Sequence, residues 1–167
     1  MTEVRPGSAA DLPELAAVER SAARRFAGTH MAWVVEAPVT APDRLRQALD
    51  ERLLWVATVG SRPAGFLMAS ELAGDLFVEE VSVALDRQGQ GLGRRLLEAA
   101  VQAARARGLA GVALTTDRTI AWNAPFYRRF GFRLLDAPPP ALQARLAGEA
   151  DHGLDPARRC AMRLALA

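Results

Sequence analysis

Gly89, Gly91 and Gly93 alternate along the run Arg87-Gln88-Gly89-Gln90-Gly91-Leu92-Gly93-Arg94. A strand-like Val81-Ser82-Val83 precedes this run, and a helix-like Leu96 to Val101 follows it. Glycines there let the backbone turn tightly and approach a ligand without side-chain obstruction. The helix that follows points its unpaired N–H groups into the turn, and phosphate oxygens are natural acceptors for them. The chemistry implied is a grip on a pyrophosphate. A P-loop needs a lysine after its second glycine, and the chain contains no lysine. A dinucleotide Gly-x-Gly-x-x-Gly fails as well, because its last position falls on Arg94 or on Leu96. What remains is Gln88-x-x-Gly91-x-Gly93.

The elements around this loop set the frame. A first strand at Val4–Arg5 leads to a helix from Asp11 to Phe26, with Asp11 as its cap and Pro13 in its first turn. Residues 27–42 read as a loop, and a second helix runs from Pro42 or Asp43 to Arg52. Leu54 to Val59 and Gly65 to Ser70 read as strands around a turn at Gly60-Ser61-Arg62-Pro63. Leu76 to Val83 is the fourth strand and Gly111 to Thr116 the fifth. A short helix at Pro125–Phe130, a strand at Phe132–Leu135, a helical piece at Leu142–Glu149 and a last strand at Cys160–Leu166 complete the chain. This order suits an α/β (α+β) fold: one domain over residues 1–167, with a mixed, mostly antiparallel sheet of about seven strands and helices on both faces.

Composition narrows the function classes. The 167 residues are half hydrophobic, enough for one substantial core. No apolar run is long enough to span a bilayer, and acidic Glu3 and Asp11 argue against a signal peptide. We therefore expect a cytoplasmic protein with no membrane partner. Cys160 is the only cysteine, so no internal disulfide can form, and one cysteine with two histidines gives no metal cluster. The net charge is only +2, and the arginines are scattered pairs rather than a basic patch, so no nucleic-acid partner is expected.

Downstream of the fifth strand comes Asn123-Ala124-Pro125-Phe126-Tyr127, followed by Gly131-Phe132. With Gln88-x-x-Gly91-x-Gly93, in this order and at this spacing, the chain resembles the GNAT-type N-acetyltransferase superfamily over nearly its whole length. The resemblance implies acetyl-CoA as co-substrate, no metal, and an acyltransferase moving acetyl to a primary amine. It also implies that the fourth and fifth strands splay and that the pantetheine arm lies in the gap. The backbone of Gln88, Gly89, Gln90, Gly91, Leu92, Gly93 and Arg94 would hold the pyrophosphate. That of Val81, Ser82 and Val83 would meet the pantetheine and polarise the thioester carbonyl. Asn123 would hydrogen-bond the pantetheine amides, doubling as a helix cap, and Phe126 would pack on the arm or in the core.

Proton transfer needs a base and an acid. Strand alternation puts Glu79 on the face of Val81 and Val83, which makes it the first candidate base. Glu80 is the second, since a β-bulge would reverse the parity. Tyr127, the only tyrosine, is the candidate acid for the departing thiolate. The acceptor pocket is drawn from His30, Trp33, Asp117, Trp122, Asp151 and His152, none of which is assigned. A small-molecule amine is the leading acceptor, with a protein N-terminus or lysine as the alternative. A non-catalytic CoA-binding sensor remains a third reading. Many similar proteins form homodimers, and the sequence locates no interface.

Overall fold

The computed structural model describes residues 1–167. Seven strands are present: β1 (Thr2–Pro6), β2 (Leu54–Val59), β3 (Arg62–Leu72), β4 (Asp75–Val83), β5 (Gly111–Asp117), β6 (Arg133–Leu134) and β7 (Arg159–Ala165). Five helices accompany them: α1 (Leu12–Ala23), α2 (Pro42–Asp50), α3 (Leu92–Ala106), α4 (Ala124–Phe130) and α5 (Pro140–Asp151). The sheet order is β1-β2-β3-β4-β5-β7-β6. β1/β2, β2/β3, β5/β7 and β6/β7 pair antiparallel, whereas β4/β5 is parallel. A parallel step needs a long crossover, and α3 lies between these two strands in the chain. The mixed, mostly antiparallel α/β fold expected above is the one observed. No helix is long and apolar enough to cross a membrane.

The chain divides into two compact units: Met1–Ser70 with Glu79–Ala103, and Glu71–Val78 with Ala104–Ala167. In the first, Leu15 and Val18 of α1 and Leu45 and Ala48 of α2 pack on Leu54, Val56, Phe66 and Met68. These four strand residues alternate, as one face of a pleated sheet requires. The opposite face meets α3. A Cβ at Gly65, next to Phe66, would stand 3.5 Å from Leu96 and 2.9 Å from the Ser82 carbonyl. Leu92, Leu96, Leu97, Ala100, Val101 and Ala104 make the buried stripe of that helix.

In the second unit, β5 and β7 pair along their whole length, from Gly111↔Ala165 to Asp117↔Arg159. Leu142 of α5 packs with Phe77, Ala113 and Ala161, and Leu72, Leu135 and Leu146 surround them. Two half-buried ion pairs stitch the unit together. Arg163 grips both Asp75 oxygens at 2.7 and 2.9 Å. Arg159 grips both Glu149 oxygens at 3.0 and 3.2 Å, and Thr115 donates its hydroxyl to the same carboxylate at 2.5 Å.

Several local expectations change. Asp11 does not cap α1 with its side chain. Ser8 opens a 3-10 turn at Ala9–Asp11 instead, and the Asp11 carboxylate accepts from the Ser8 N–H at 2.8 Å and from Arg5 at 2.7 and 2.9 Å. The competing ion pair took the side chain away from the helix. The β2–β3 turn is tighter than expected, because Arg62 and Pro63 belong to β3, opposite Val59 and Thr58. A register shift at Ala57/Thr58 lets Pro63 sit in the strand despite its missing N–H. The 27–42 loop contains a 3-10 turn at Ala32–Glu36.

Candidate functional site

β4 of the first unit runs straight into the glycine loop. Gly89 and Gly91 adopt φ of +77° and +81°, the left-handed region that side chains with a Cβ avoid. Gly93 is already in the first turn of α3, which begins at Leu92. The Gly91 carbonyl accepts the N–H of Arg95 at 3.1 Å, so the helix ladder starts at the loop's last turn. The N–H groups of Leu92, Gly93 and Arg94 therefore lie in the first turn, where no intrahelical acceptor exists. Buried Leu92 pins this terminus to the core. The loop's other end is held by the Ser21 hydroxyl of α1, which accepts the Leu85 N–H at 2.9 Å. Gln88 turns inward and donates its side-chain amide to the Val83 carbonyl at 2.9 Å. Arg94 pairs with Glu98 on the surface of α3 at 3.1 Å.

The two glutamates of β4 have different surroundings. Glu79 is 7% exposed, and both of its oxygens are engaged. The Ser70 hydroxyl donates to Oε1 at 2.8 Å, and Arg44 from α2 reaches Oε2 at 2.9 Å. Glu80 is half-buried and accepts the Ser82 hydroxyl at 3.0 Å. Burial pushes its carboxyl up to about 8, with the charges of Glu19 and Glu79 raising it further. The Ser82 hydroxyl and the Val81 N–H oppose that rise by hydrogen-bonding to the charged form. Ser82 shares the face of Glu80, as alternation predicts, and is itself buried. Val81 and Val83 are half-buried.

In the second unit, α4 carries the downstream motif. Asn123 precedes the helix with φ −108° and ψ −120°, and its side chain makes no cap. Its amide nitrogen instead donates to the Thr116 hydroxyl on β5 at 2.9 Å. Its Oδ1 is buried and has no hydrogen-bond partner in the protein. A buried acceptor left in this state costs stability unless a donor arrives, so the atom fits an amide N–H from a ligand. Tyr127 is half-buried, with Phe126 and Phe132 edge-on to its ring at 5.3 and 5.7 Å. Gly131 ends the helix.

The residues considered for an acceptor pocket differ in burial and bonding. Asp117 is fully buried and accepts the N–H groups of Thr119 and Ile120 at 2.8 and 2.9 Å, so it builds the turn after β5. His30, Asp151 and His152 are exposed, Trp122 is half-buried, and Trp33 is 46% exposed on the 3-10 turn. Sequence reading missed Glu19, Ser21, Arg44 and Ser70. Glu19, Ser21 and Arg44 lie far along the chain from what they touch, and Ser70 of β3 meets Glu79 of β4 nine residues on; no local pattern marks these partnerships.

A family model described as the acetyltransferase (GNAT) domain matches residues 50–134, which is half of the chain and includes both motifs. Solved structures agree in fold. PaiA N-acetyltransferase from Thermoplasma acidophilum, in complex with coenzyme A, is 18% identical, with a TM-score of 0.73 over 99% of each chain. The ribosomal-protein-alanine N-acetyltransferase of Brucella melitensis is 20% identical, with a TM-score of 0.68 over 98% of this chain and 99% of that one. N-acetylglutamate synthase from Neisseria gonorrhoeae, complexed with coenzyme A and N-acetyl-glutamate, is 16% identical, with a TM-score of 0.73. The whole of the present chain matches 35% of that one. With the family model spanning β2 to β6 and the glycine turn opening α3 at its centre, the chain belongs to the GNAT acetyltransferases, which take their acetyl group from acetyl-CoA.

Proposed function

We propose that residues 1–167 act as one catalytic domain that acetylates the primary amine of a small molecule, with Glu80 as general base and Tyr127 as general acid. The observation that carries this reading is the contrast on β4. Glu79 is engaged by Arg44 and Ser70, while Glu80 is met by the Ser82 hydroxyl and has a carboxyl near 8. An alkylammonium gives up its proton near pH 10. Passing that proton to a carboxylate of ordinary strength is uphill by about 7 kcal/mol, but to a group near 8 by only about 3 kcal/mol. Glu80 can therefore do this work in its ionised form, which dominates above about pH 8, and Glu79 keeps a positioning role.

Acetyl-CoA supplies a thioester whose carbonyl carbon accepts the amine. The main-chain amides from Gln88 to Arg94 hold its pyrophosphate, with Gly89 and Gly91 giving them room. Asn123 offers its buried Oδ1 to a pantetheine amide N–H. The Val81 N–H is the donor we assign to the thioester carbonyl. Glu80 takes the ammonium proton before attack; as the C–N bond forms and the C–S bond breaks, the Tyr127 hydroxyl gives a proton to the departing sulfur and its oxygen recovers one from the second proton that nitrogen loses. With one buried cysteine, the chain suits a reducing cytoplasm.

The test follows thiol release from acetyl-CoA across a panel of small primary amines and peptides with a free N-terminal alanine. Turnover of a small amine supports the reading. Turnover of the peptides alone moves the acceptor to a protein N-terminus; the Brucella relative is named for ribosomal-protein alanine. Acetyl-CoA binding with no turnover of any amine would leave only a sensor. Within the panel, Tyr127→Phe should lower kcat about tenfold and leave acetyl-CoA affinity unchanged.

A further inference from the structure

Thr40 lies two residues before α2, and its main-chain N–H donates to both carboxylate oxygens of Glu19 at 3.0 Å each. Glu19 lies on α1, one turn after fully buried Leu15, so it stands on the edge of the helix that faces the sheet. Its partner is a main-chain amide, which leaves the negative charge of Glu19 in place. The segment it fixes leads directly into α2. There Arg44, in the first turn, reaches Glu79 at 2.9 Å. A continuous chain of contacts thus runs from Glu19 through Thr40 and α2 to Glu79 and Ser70, and Glu80 is the next residue along β4.

The groups acting on Glu80 come from each side of this arrangement. Glu19 acts from α1, and Glu79, Ser82 and the Val81 N–H act from β4 itself. Arg44 of α2 is directed at Glu79. We propose that Glu19 is a positioning residue for acetyl transfer: through Thr40 and α2 it sets where Arg44 meets Glu79, and its charge acts on Glu80. The inference rests on Glu80 as the base. A like charge nearby favours the protonated form of a carboxyl, so Glu19 keeps Glu80 the stronger proton acceptor.

Glu19→Gln tests this cleanly, because the amide oxygen still accepts from Thr40 while the charge is gone. The readout is a carbon-13 NMR titration of the protein labelled at glutamate side-chain carboxyls, with the Glu80 resonance assigned from Glu80→Gln. The Glu80 midpoint should fall by roughly 0.5 to 1 pH unit in Glu19→Gln, and the acid limb of the kcat–pH profile should move down with it. Glu19→Ala should show the same fall and in addition a higher KM for the amine, since the entry to α2 is released. The KM for acetyl-CoA should not change in either variant. A Glu80 midpoint that stays put in Glu19→Gln overturns the inference and leaves Glu80 standing as base. Normal turnover in Glu80→Gln overturns both.

Discussion

In the second unit, every oxygen of Asp75 and Glu149 meets an arginine, and Thr115 adds a hydroxyl to Glu149. In the first, Glu80 has a serine hydroxyl and a neighbouring N–H, with two more carboxylates adding to its negative surroundings. A desolvated carboxylate is tolerated when its attraction to a fixed cation offsets the lost hydration. Without that offset the group keeps its proton to higher pH, which is useless for stability and useful for catalysis. The difference separates carboxylates that stitch strands together from one that can cycle a proton. The same logic marks Asn123, whose Oδ1 is a buried acceptor with no hydrogen-bond partner in the protein.

The largest effect is expected at the loop proposed to hold acetyl-CoA. Gly91→Glu forces a side chain into φ +81° and sets a negative charge where phosphate should lie. Acetyl-CoA affinity measured by calorimetry should fall at least about 100-fold. Affinity within a few-fold of wild type would detach the loop from the cofactor. Next comes Glu80→Gln, which should lower kcat by about 100-fold while Glu79→Gln costs far less. Equal losses would erase the distinction between the two glutamates.

That distinction was not readable from the chain. Glu79 meets Ser70 and Arg44 on the face that α1 and α2 cover, away from Val83, which lies beside Gly65 and Leu96 of α3, but alternation correctly grouped Glu80 with Ser82, and the glycine spacing located the turn before α3. These are local patterns, set by the two-residue repeat of a strand and by the backbone demands of a βα turn. What separates the two carboxyls comes from other elements: Arg44 of α2 and Ser70 of β3 at Glu79, and Glu19 of α1 acting on Glu80. Asp11 misled for the same reason. It stands where a helix cap belongs, and Arg5 claimed it. Asp117 looked available for an acceptor pocket, and the turn after β5 absorbed it.

The matched side of the comparison should respond in stability rather than rate. Glu149→Ala strands Arg159, only 11% exposed, and leaves the Thr115 hydroxyl without its acceptor. Breaking such a pair should cost about 3 kcal/mol in urea unfolding, with acetyl-CoA affinity unchanged. Replacing both Glu149 and Arg159 by leucine should recover most of that loss, because neither charge is then left alone. A double variant as unstable as the single one would mean that the pair does more than neutralise its own burial.

Asp11 gives the smallest effect and separates matching from location, because it is a matched carboxylate in the same unit as Glu80. The Arg5 hydrogen bonds hold its carboxyl below the usual 3.8, helped by Ser8. A depressed group stabilises the fold above its unfolded value and loses that contribution as pH falls through its folded value. Asp11→Asn should therefore be less stable than wild type by about 1.5 kcal/mol at pH 7, and the gap should close below pH 3.8. Glu80 has the opposite sign. Its neutral form favours the fold below the unfolded value of 4.5, and that advantage is lost as pH rises through about 8. Glu80→Gln should thus gain on wild type between pH 5 and 9, where Asp11→Asn shows a constant deficit. If both variants track wild type in parallel across that range, the partner a carboxylate meets does not decide its role in this fold.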